Sequence, residues 1–144
     1  MFSKACQYGI KASVYIVSQT AMGNRVSLRE IAQSIDSPEA FTAKILHQLS
    51  KQNILASLKG PTGGFQIPVG KAQTLKVIDI VAAIDGDSIY AGCALGFDYC
   101  DENRPCSMHS KFAEIREDLK NMLHDTSLFE LANGFDNGLS FLKR

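Results

Sequence analysis

Two short helix patterns lie close together between residues 26 and 52, and they constrain the fold more than any other part of the sequence. Ser27 and Glu30 have the spacing of a capping box, which predicts that the first helix begins there. Pro38 disfavours helical geometry at the residue before it, so we expect this helix to end near Asp36. Its inward face would consist of Leu28, Ile31, Ala32 and Ile35.

The second helix is predicted to have Ser37 as its N-cap and Pro38 as its first residue, and to run to about Gln52. Its inward face would hold Phe41, Ile45, Leu46 and Leu49. Its outer side is expected to carry polar and cationic side chains, namely Thr42, Lys44, His47, Gln48 and Lys51. Two such helices have the plan of a helix-turn-helix, whose second helix enters the major groove of DNA. Contact with water alone would also produce a polar face, so this pattern leaves DNA binding open.

A β-hairpin is predicted after the second helix. Residues 54–59 read as a strand, residues 60–64 as a turn and residues 65–67 as the return strand. Such a hairpin would be the wing of a winged helix. We expect the glycines of its turn to allow positive φ and close approach to phosphates, and Lys59 to reach a minor groove. The candidate DNA contacts of the wing are Lys59, Gly60, Thr62, Gly63 and Gly64. Arg29 and Ser37 of the helix pair are further candidate contacts.

The charges are divided unequally along the chain, although basic and acidic side chains both number 15. Residues 1–76 carry nine basic and three acidic side chains, whereas residues 77–144 carry six basic and twelve acidic ones. This asymmetry indicates that the first half faces a polyanion such as double-stranded DNA. Two solvent-exposed faces that bind no partner would give the same distribution of charges. We predict that residues 1–76 form a winged helix-turn-helix DNA-binding domain.

Three of the four cysteines lie close to a histidine in the second half of the chain, as Cys93, Cys100, Cys106 and His109. The intervals of six, five and two residues do not form the close cysteine pairs that structural zinc sites use. Iron–sulfur clusters accept wider spacings and an imidazole ligand. From spacing alone, an iron–sulfur cluster, a zinc ion and metal-free thiols are three open alternatives. Cys6 lies on an apolar helix predicted over residues 5–21, and we expect it to be a small buried side chain.

An apolar stripe follows the cysteines and predicts a long helix. It consists of Met108, Phe112, Ile115, Leu119 and Met122, which recur at alternating spacings of four and three residues. The stripe would either pair with a second copy of the chain or pack within its own chain. A shorter apolar helix over residues 75–84, ending near Gly86, precedes the cysteines. Residues 77–144 are therefore assigned to a cysteine loop and dimerisation helices, and the predicted fold is mainly α with a small β-hairpin wing.

The N-terminus lacks the pattern of a secretory leader, and the longest aliphatic run, residues 80–84, is too short to span a bilayer. We therefore expect a cytoplasmic protein that does not enter membranes. Thiols in that compartment stay reduced unless they hold metal or sense oxidants, which disfavours a structural disulfide.

These motifs together resemble the Rrf2 family of bacterial winged-helix transcriptional regulators, in particular its IscR-like and NsrR-like members. The resemblance rests on residues 26–35, 37–41, 44–46, 48–49 and 59–65, with the three cysteines downstream. It covers nearly the whole chain. It implies a homodimer that binds partly palindromic operators in double-stranded DNA, with the cluster loop just before a dimerisation helix.

The resemblance also implies an iron–sulfur cluster, with [2Fe–2S] preferred and [4Fe–4S] as the other form. The family's cluster ligands match Cys93, Cys100, Cys106 and His109. The sequence departs from the pattern in a first cysteine interval one residue longer, in Tyr8 where NsrR-like members have an acidic ligand, and in Ala43 where IscR-like members have a base-reading glutamate. The histidine-ligated form is therefore preferred, and no operator sequence is carried over.

We predict a DNA-binding transcriptional regulator that senses iron–sulfur status, redox state or nitric oxide through this cluster. A metal-free regulator that senses redox state through its thiols is the alternative. An enzyme or an electron carrier is disfavoured, because no nucleophile and base, dinucleotide-binding fingerprint or carboxylate pair accompanies the cysteines.

Overall fold

The computed structural model describes residues 1–136, which form eight helices and one antiparallel hairpin. The helices are α1 (Lys4–Ala21), α2 (Leu28–Ser34), α3 (Glu39–Lys51), α4 (Val69–Thr74), α5 (Val77–Asp85), α6 (Ser88–Ala91), α7 (His109–Asp125) and α8 (Leu128–Asp136). The strands are β1 (Ala56–Leu58) and β2 (Gly64–Gln66). The predicted fold class is confirmed. None of the helices in this range is long and apolar enough to cross a membrane.

One apolar core surrounds α1. Its fully buried side chains include Ile16 of α1, Ile31 of α2 and Leu46 of α3, and burying each stabilises the fold by about 1.5–3 kcal/mol. Leu128 and Ala132 of α8 belong to the same core, so the last described helix closes over the first. The core thus draws residues from both sides of residue 76, and the division of the chain at that point remains a prediction.

The first helix of the pair, α2, begins as predicted. The Ser27 hydroxyl accepts the Glu30 N–H at 3.3 Å, and the Glu30 carboxylate accepts the Ser27 N–H at 2.7 Å, which confirms the capping box. Helix α2 ends at Ser34, and Asp36 then has a φ of 53°, a left-handed conformation in which a right-handed helix cannot continue.

The prediction that Ser37 caps α3 is wrong. Pro38 occupies the N-cap position with an extended ψ of 133°, and α3 starts one residue later, at Glu39. The Ser37 hydroxyl instead forms a hydrogen bond of 2.9 Å with the Thr42 hydroxyl. The second helix ends at Lys51 with Gln52 as its C-cap, as expected.

The wing is shorter than predicted and is attached to the start of the helix pair. The strands pair Ala56 with Gln66 and Leu58 with Gly64, whereas residues 54 and 55 are buried in the core before β1 begins. Phe65 exchanges two backbone hydrogen bonds with Val26, at 2.8 and 3.1 Å. This bridge fixes the hairpin beside the entry to α2.

The two adjacent glycines of the turn serve the wing differently. Gly64 has a φ of +141°, and a Cβ there would lie 2.7 Å from the Val26 carbonyl oxygen. Gly63 is not among the positive-φ glycines of residues 1–136, so that part of the prediction is wrong. A Cβ on Gly63 would lie 2.2 Å from the Leu58 carbonyl oxygen, which shows that the turn itself occupies the space around it.

After the wing, the described chain contains two of the predicted helices and three that were not predicted. α5 ends where Gly86 adopts a φ of +70°, and α7 begins directly after the cysteines, both as expected. Leu75 lies outside α5, since it is the C-cap of α4 and its carbonyl accepts the Leu128 backbone N–H at 2.9 Å. The helices without a prediction are α4, α6 and α8.

Candidate DNA-contacting face and cysteine site

The outer side of α3 exposes three of its predicted contact residues, Lys44, His47 and Lys51. Arg29 of α2 is also exposed, and Ser37 between the helices is half-buried. Gln48 is exposed, but its side-chain amide donates to the carbonyl of Ala83 in α5 at 2.8 Å. Gln48 therefore connects α3 to α5 and is not a free side chain on the outer face.

Thr42 does not lie on the outer side, and its prediction as an exposed contact residue is wrong. Its side chain is 0% exposed, and its hydroxyl donates to the Pro38 carbonyl at 2.9 Å. The reason is helical geometry, because residue 42 precedes three buried residues by three, four and seven positions, which places it on their face. Those residues are Ile45, Leu46 and Leu49.

The wing presents Lys59, Gly60 and Thr62 to solvent, whereas Gly63 and Gly64 are half-buried. A polar cleft of about 840 Å³ lies between the wing, the end of α1 and the start of α2. Arg25 lines this cleft and donates from Nε to the Gln66 side-chain oxygen at 3.4 Å. Arg25 was not among the predicted contact residues. Its signal was a basic residue directly before Val26, in the segment that the wing pairs with.

The three clustered cysteines and the histidine line one small cavity. Cys93, Cys100, Cys106 and His109 all border a space of about 130 Å³, together with Phe97, Tyr99, Asp101 and Arg104. Cys100 Sγ and His109 Nδ1 are 3.3 Å apart. The backbone N–H of His109 donates to the Cys106 carbonyl at 3.0 Å, so the start of α7 is bonded to the end of the cysteine loop. The loop and helix thus bring together the four side chains that the sequence singled out.

The cavity is not arranged for a single metal ion. Among residues 1–136, no three His, Cys, Asp or Glu side chains converge closely enough to hold one ion. A structural zinc site requires four ligands around one point at about 2.0–2.3 Å. The zinc alternative therefore has no support in the geometry of the described chain.

The surroundings of Cys93 favour its thiolate form. Backbone N–H groups donate to its sulfur, that of Phe97 most strongly, then those of Leu95 and Gly96, and they lower the pKa of the thiol. The cation of Arg116 acts in the same direction. A lowered pKa increases the thiolate fraction, which is the form that binds metals and reacts with oxidants.

Arg116 of α7 contacts the cysteine loop at two points. Its Nη1 donates to the Gly92 carbonyl at 3.3 Å, and its Nη2 donates to Cys100 Sγ at 3.8 Å. Arg116 was not among the predicted site residues. Helix spacing alone could not have found this contact, because the loop that it reaches has no periodic pattern.

Cys6 is completely buried in α1, as predicted. Burial raises the pKa of its thiol to about 12, and the nearby carboxylate of Asp85 adds to the rise. Its neighbours in a second apolar cluster include Val81 of α5 and Leu123 of α7. Cys6 is therefore a packing residue that connects α1 to the helices on either side of the cysteine loop.

The apolar stripe of α7 is largely uncovered. Met108, Ile115 and Met122 are 39%, 58% and 56% exposed, whereas Phe112 and Leu119 are half-buried. Of the two alternatives for the stripe, packing within its own chain therefore accounts for only part of it.

A helix pair whose second helix exposes cations, with a hairpin bridged to the entry of the pair, defines a winged helix-turn-helix DNA-binding protein. The profile of the Rrf2 family, described as iron-dependent transcriptional regulators, matches residues 2–134. The chain belongs to this family and is a transcriptional regulator.

Individual relatives agree with this assignment. An HTH-type transcriptional regulator of Aquifex aeolicus is 29% identical over 135 residues, which cover 92% of each chain. The HTH-type transcriptional regulator IscR of Yersinia pseudotuberculosis is 25% identical over 131 residues, 90% of this chain and 77% of IscR. The structure of CymR, the global cysteine regulator of B. subtilis, matches with a TM-score of 0.74 at 19% identity, over 92% of this chain and 96% of CymR. This last likeness shows the fold.

Proposed function

We propose that this regulator holds an iron–sulfur cluster through Cys93, Cys100, Cys106 and His109, and that the state of this site controls its binding to operator DNA. The observation that carries the proposal is the single cavity lined by all four side chains. Thiolates are the usual ligands of such clusters, and imidazole replaces thiolate in some two-iron centres. The description of the family as iron-dependent also supports iron over other metals.

A two-iron cluster suits the donor positions better than a single ion does. Its ligands are divided between two metal atoms, so they need not converge on one point, and no three of the described side chains do. We prefer [2Fe–2S] to [4Fe–4S], the second form, because imidazole is a known ligand of two-iron centres. When bound, the cluster would supply one-electron redox chemistry and sensitivity to oxidants or nitric oxide.

The cysteine loop is placed so that its conformation can affect a subunit contact. Residues 92–108 connect α6 to α7, and the exposed stripe of α7 begins at Met108, next to His109. We propose that two copies pair through this stripe as a homodimer. Ordering or release of the loop would then shift the start of the paired helices and change the separation of the two DNA-contacting helices.

For DNA, we propose that α3 enters the major groove with Lys44, His47 and Lys51. Arg29 and the exposed wing residues, Lys59, Gly60 and Thr62, would contact the backbone or the minor groove. Gly63 and Gly64 would serve by shaping the turn, Ser37 by joining α2 to α3, and Gln48 by fixing α3 to α5. Thr42 has no place in this set, since it is buried.

The test is anaerobic purification followed by iron and sulfide analysis, visible absorption spectroscopy and titration with DNA. His109→Ala is compared with Cys6→Ala, a matched variant of a residue outside the cavity. We expect equimolar iron and sulfide in the wild type and in Cys6→Ala, with an altered spectrum in His109→Ala. Colourless wild-type protein that contains neither element would contradict the cluster. An unchanged spectrum in His109→Ala would remove histidine from the ligand set.

A metal-free thiol sensor is the second candidate, and the lowered pKa of Cys93 with the exposure of Cys106 favours it. Peroxide would oxidise two of the thiols to a disulfide and be reduced to two waters. Mass spectrometry after peroxide treatment separates the two candidates. A disulfide that forms in iron-free protein as purified, and changes DNA binding, supports the thiol sensor. Thiols that stay protected until iron is lost support the cluster.

A further inference from the structure

The side chain of Arg116 connects the long helix α7 to both ends of the first half of the cysteine loop. Gly92, whose carbonyl accepts from Nη1 at 3.3 Å, immediately precedes Cys93. Cys100, whose sulfur accepts from Nη2 at 3.8 Å, ends the segment. Arg116 is itself half-buried, so its side chain is partly shielded from bulk water. One guanidinium therefore spans the eight-residue stretch 93–100 that contains two of the three clustered cysteines.

The chemistry of arginine suits both contacts. The guanidinium is always charged and carries five donors in a rigid fork, so it can donate to a carbonyl and to a sulfur at the same time. Hydrogen bonds to ligand sulfurs are among the factors that set the reduction potential of iron–sulfur clusters. A cation stabilises the reduced cluster more than the oxidised one, because the reduced cluster carries one more negative charge.

We propose that Arg116 is a positioning residue of the cysteine site, which holds residues 92–100 against α7 and donates to the Cys100 sulfur. This inference rests on the proposed cluster. It assigns Arg116 two effects. It raises the reduction potential of the bound cluster, and it restrains the loop even when no cluster is present.

The test compares Arg116→Gln and Arg116→Lys with Lys120→Gln. Lys120 is an exposed cation four residues further along α7, so it controls for loss of charge on the same helix. Redox titration of the cluster-loaded proteins should give a more negative midpoint potential in Arg116→Gln, an unchanged one in Lys120→Gln and an intermediate one in Arg116→Lys, which keeps the charge but not the fork. A purely structural role of Arg116 would not produce this order of midpoint potentials.

Hydrogen exchange of the cluster-free proteins provides the second readout. Backbone amides of residues 93–100 should exchange about two- to tenfold faster in Arg116→Gln than in the wild type, because the contacts of Arg116 with Gly92 and Cys100 are lost, while those of α1 do not change. Equal potentials and equal exchange rates in Arg116→Gln and the wild type would overturn the role of Arg116 and leave the cluster standing. Absence of iron and sulfide from every protein, the wild type included, would instead overturn the proposed function and with it any role of Arg116 toward a cluster.

Discussion

Ser3 donates twice to the carboxylate of Asp85, once from its backbone N–H at 2.9 Å and once from its hydroxyl. The same hydroxyl accepts the Cys6 N–H at 3.0 Å and so caps α1. This one side chain therefore joins the start of α1 to the end of α5, the last long helix before the cysteine loop.

Substituting Ser3 should weaken this junction. Ser3→Ala removes the cap and one bond to Asp85, and we expect it to lower the free energy of unfolding by about 1 kcal/mol. Urea unfolding followed by circular dichroism measures the change. Ser57→Ala, on the exposed face of the wing, is the control and should leave stability within about 0.5 kcal/mol of the wild type. Equal losses in both variants would contradict a structural role for the junction.

Cys6 should be unreactive in the folded protein. Its pKa of about 12 and its complete burial keep it a protonated, inaccessible thiol at pH 8. Iodoacetamide treatment of cluster-free protein at that pH should label the exposed Cys106 and leave Cys6 unlabelled until urea unfolds the chain. Mass spectrometry of the digested protein locates the label. Labelling of Cys6 at the rate of Cys106 would contradict its placement.

The raised pKa of Cys6 also predicts how stability depends on pH. The thiol ionises near 9.0 when the chain is unfolded but near 12 when it is folded, so its contribution is fully present below pH 9 and is lost as the pH rises toward 12. Unfolding free energies should therefore fall more steeply over this range in the wild type than in Cys6→Ala. Parallel curves for the two proteins would show that the thiol does not titrate differently on folding.

The wing depends on the backbone of Gly64. An alanine there would have to adopt a φ of +141° with its Cβ 2.7 Å from the Val26 carbonyl oxygen, so we expect Gly64→Ala to destabilise the protein by about 1–3 kcal/mol. Gly70→Ala is the matched control, because a Cβ at residue 70 meets nothing within 4 Å and α4 would gain helix propensity. Thermal unfolding of both variants measures the contrast. A Gly64→Ala protein as stable as the wild type would contradict the close approach of β2 to Val26.

Lys59 should contribute to DNA binding through charge. Lys59→Ala should weaken binding to all sequences alike and reduce the slope of log K against log salt by about one. Lys120→Ala, which removes a cation from α7, should leave this slope unchanged. Fluorescence anisotropy of labelled duplexes at several salt concentrations measures both. A slope that is the same in Lys59→Ala and the wild type would place the wing away from the phosphates.

The sequence predicted those elements whose ends are marked by one or two residues of a characteristic type. The capping box at Ser27 and the glycine after α5 each follow from one or two residues, and both formed as predicted. Helix α8 carries the same signal, since Ser127 and Glu130 form a second capping box, but no prediction was drawn from it. The physics that identified α2 would thus have identified α8.

Predictions failed where the position of a residue opposed its polarity. Thr42 was assigned to the outer face because it is polar, although its spacing to Ile45 and Leu46 places it inside. Its hydroxyl can be buried because it donates to the Pro38 carbonyl, which also accepts the Thr42 backbone N–H in the first turn of the helix. In the cysteine site, spacing indicated which side chains belong together. Only the fold showed that Arg116, on a different element, reaches the same loop.

Control of DNA affinity by the cysteine site is most directly tested by one comparison. Duplexes selected from a random-sequence pool by the cluster-loaded protein are titrated with the same preparation before and after the cluster is removed with a chelator under anaerobic conditions. If the cysteine site is coupled to the DNA-contacting face, removal of the cluster should change the dissociation constant for DNA by a factor of about 5–150. Identical dissociation constants for the loaded and cluster-free proteins would contradict the account.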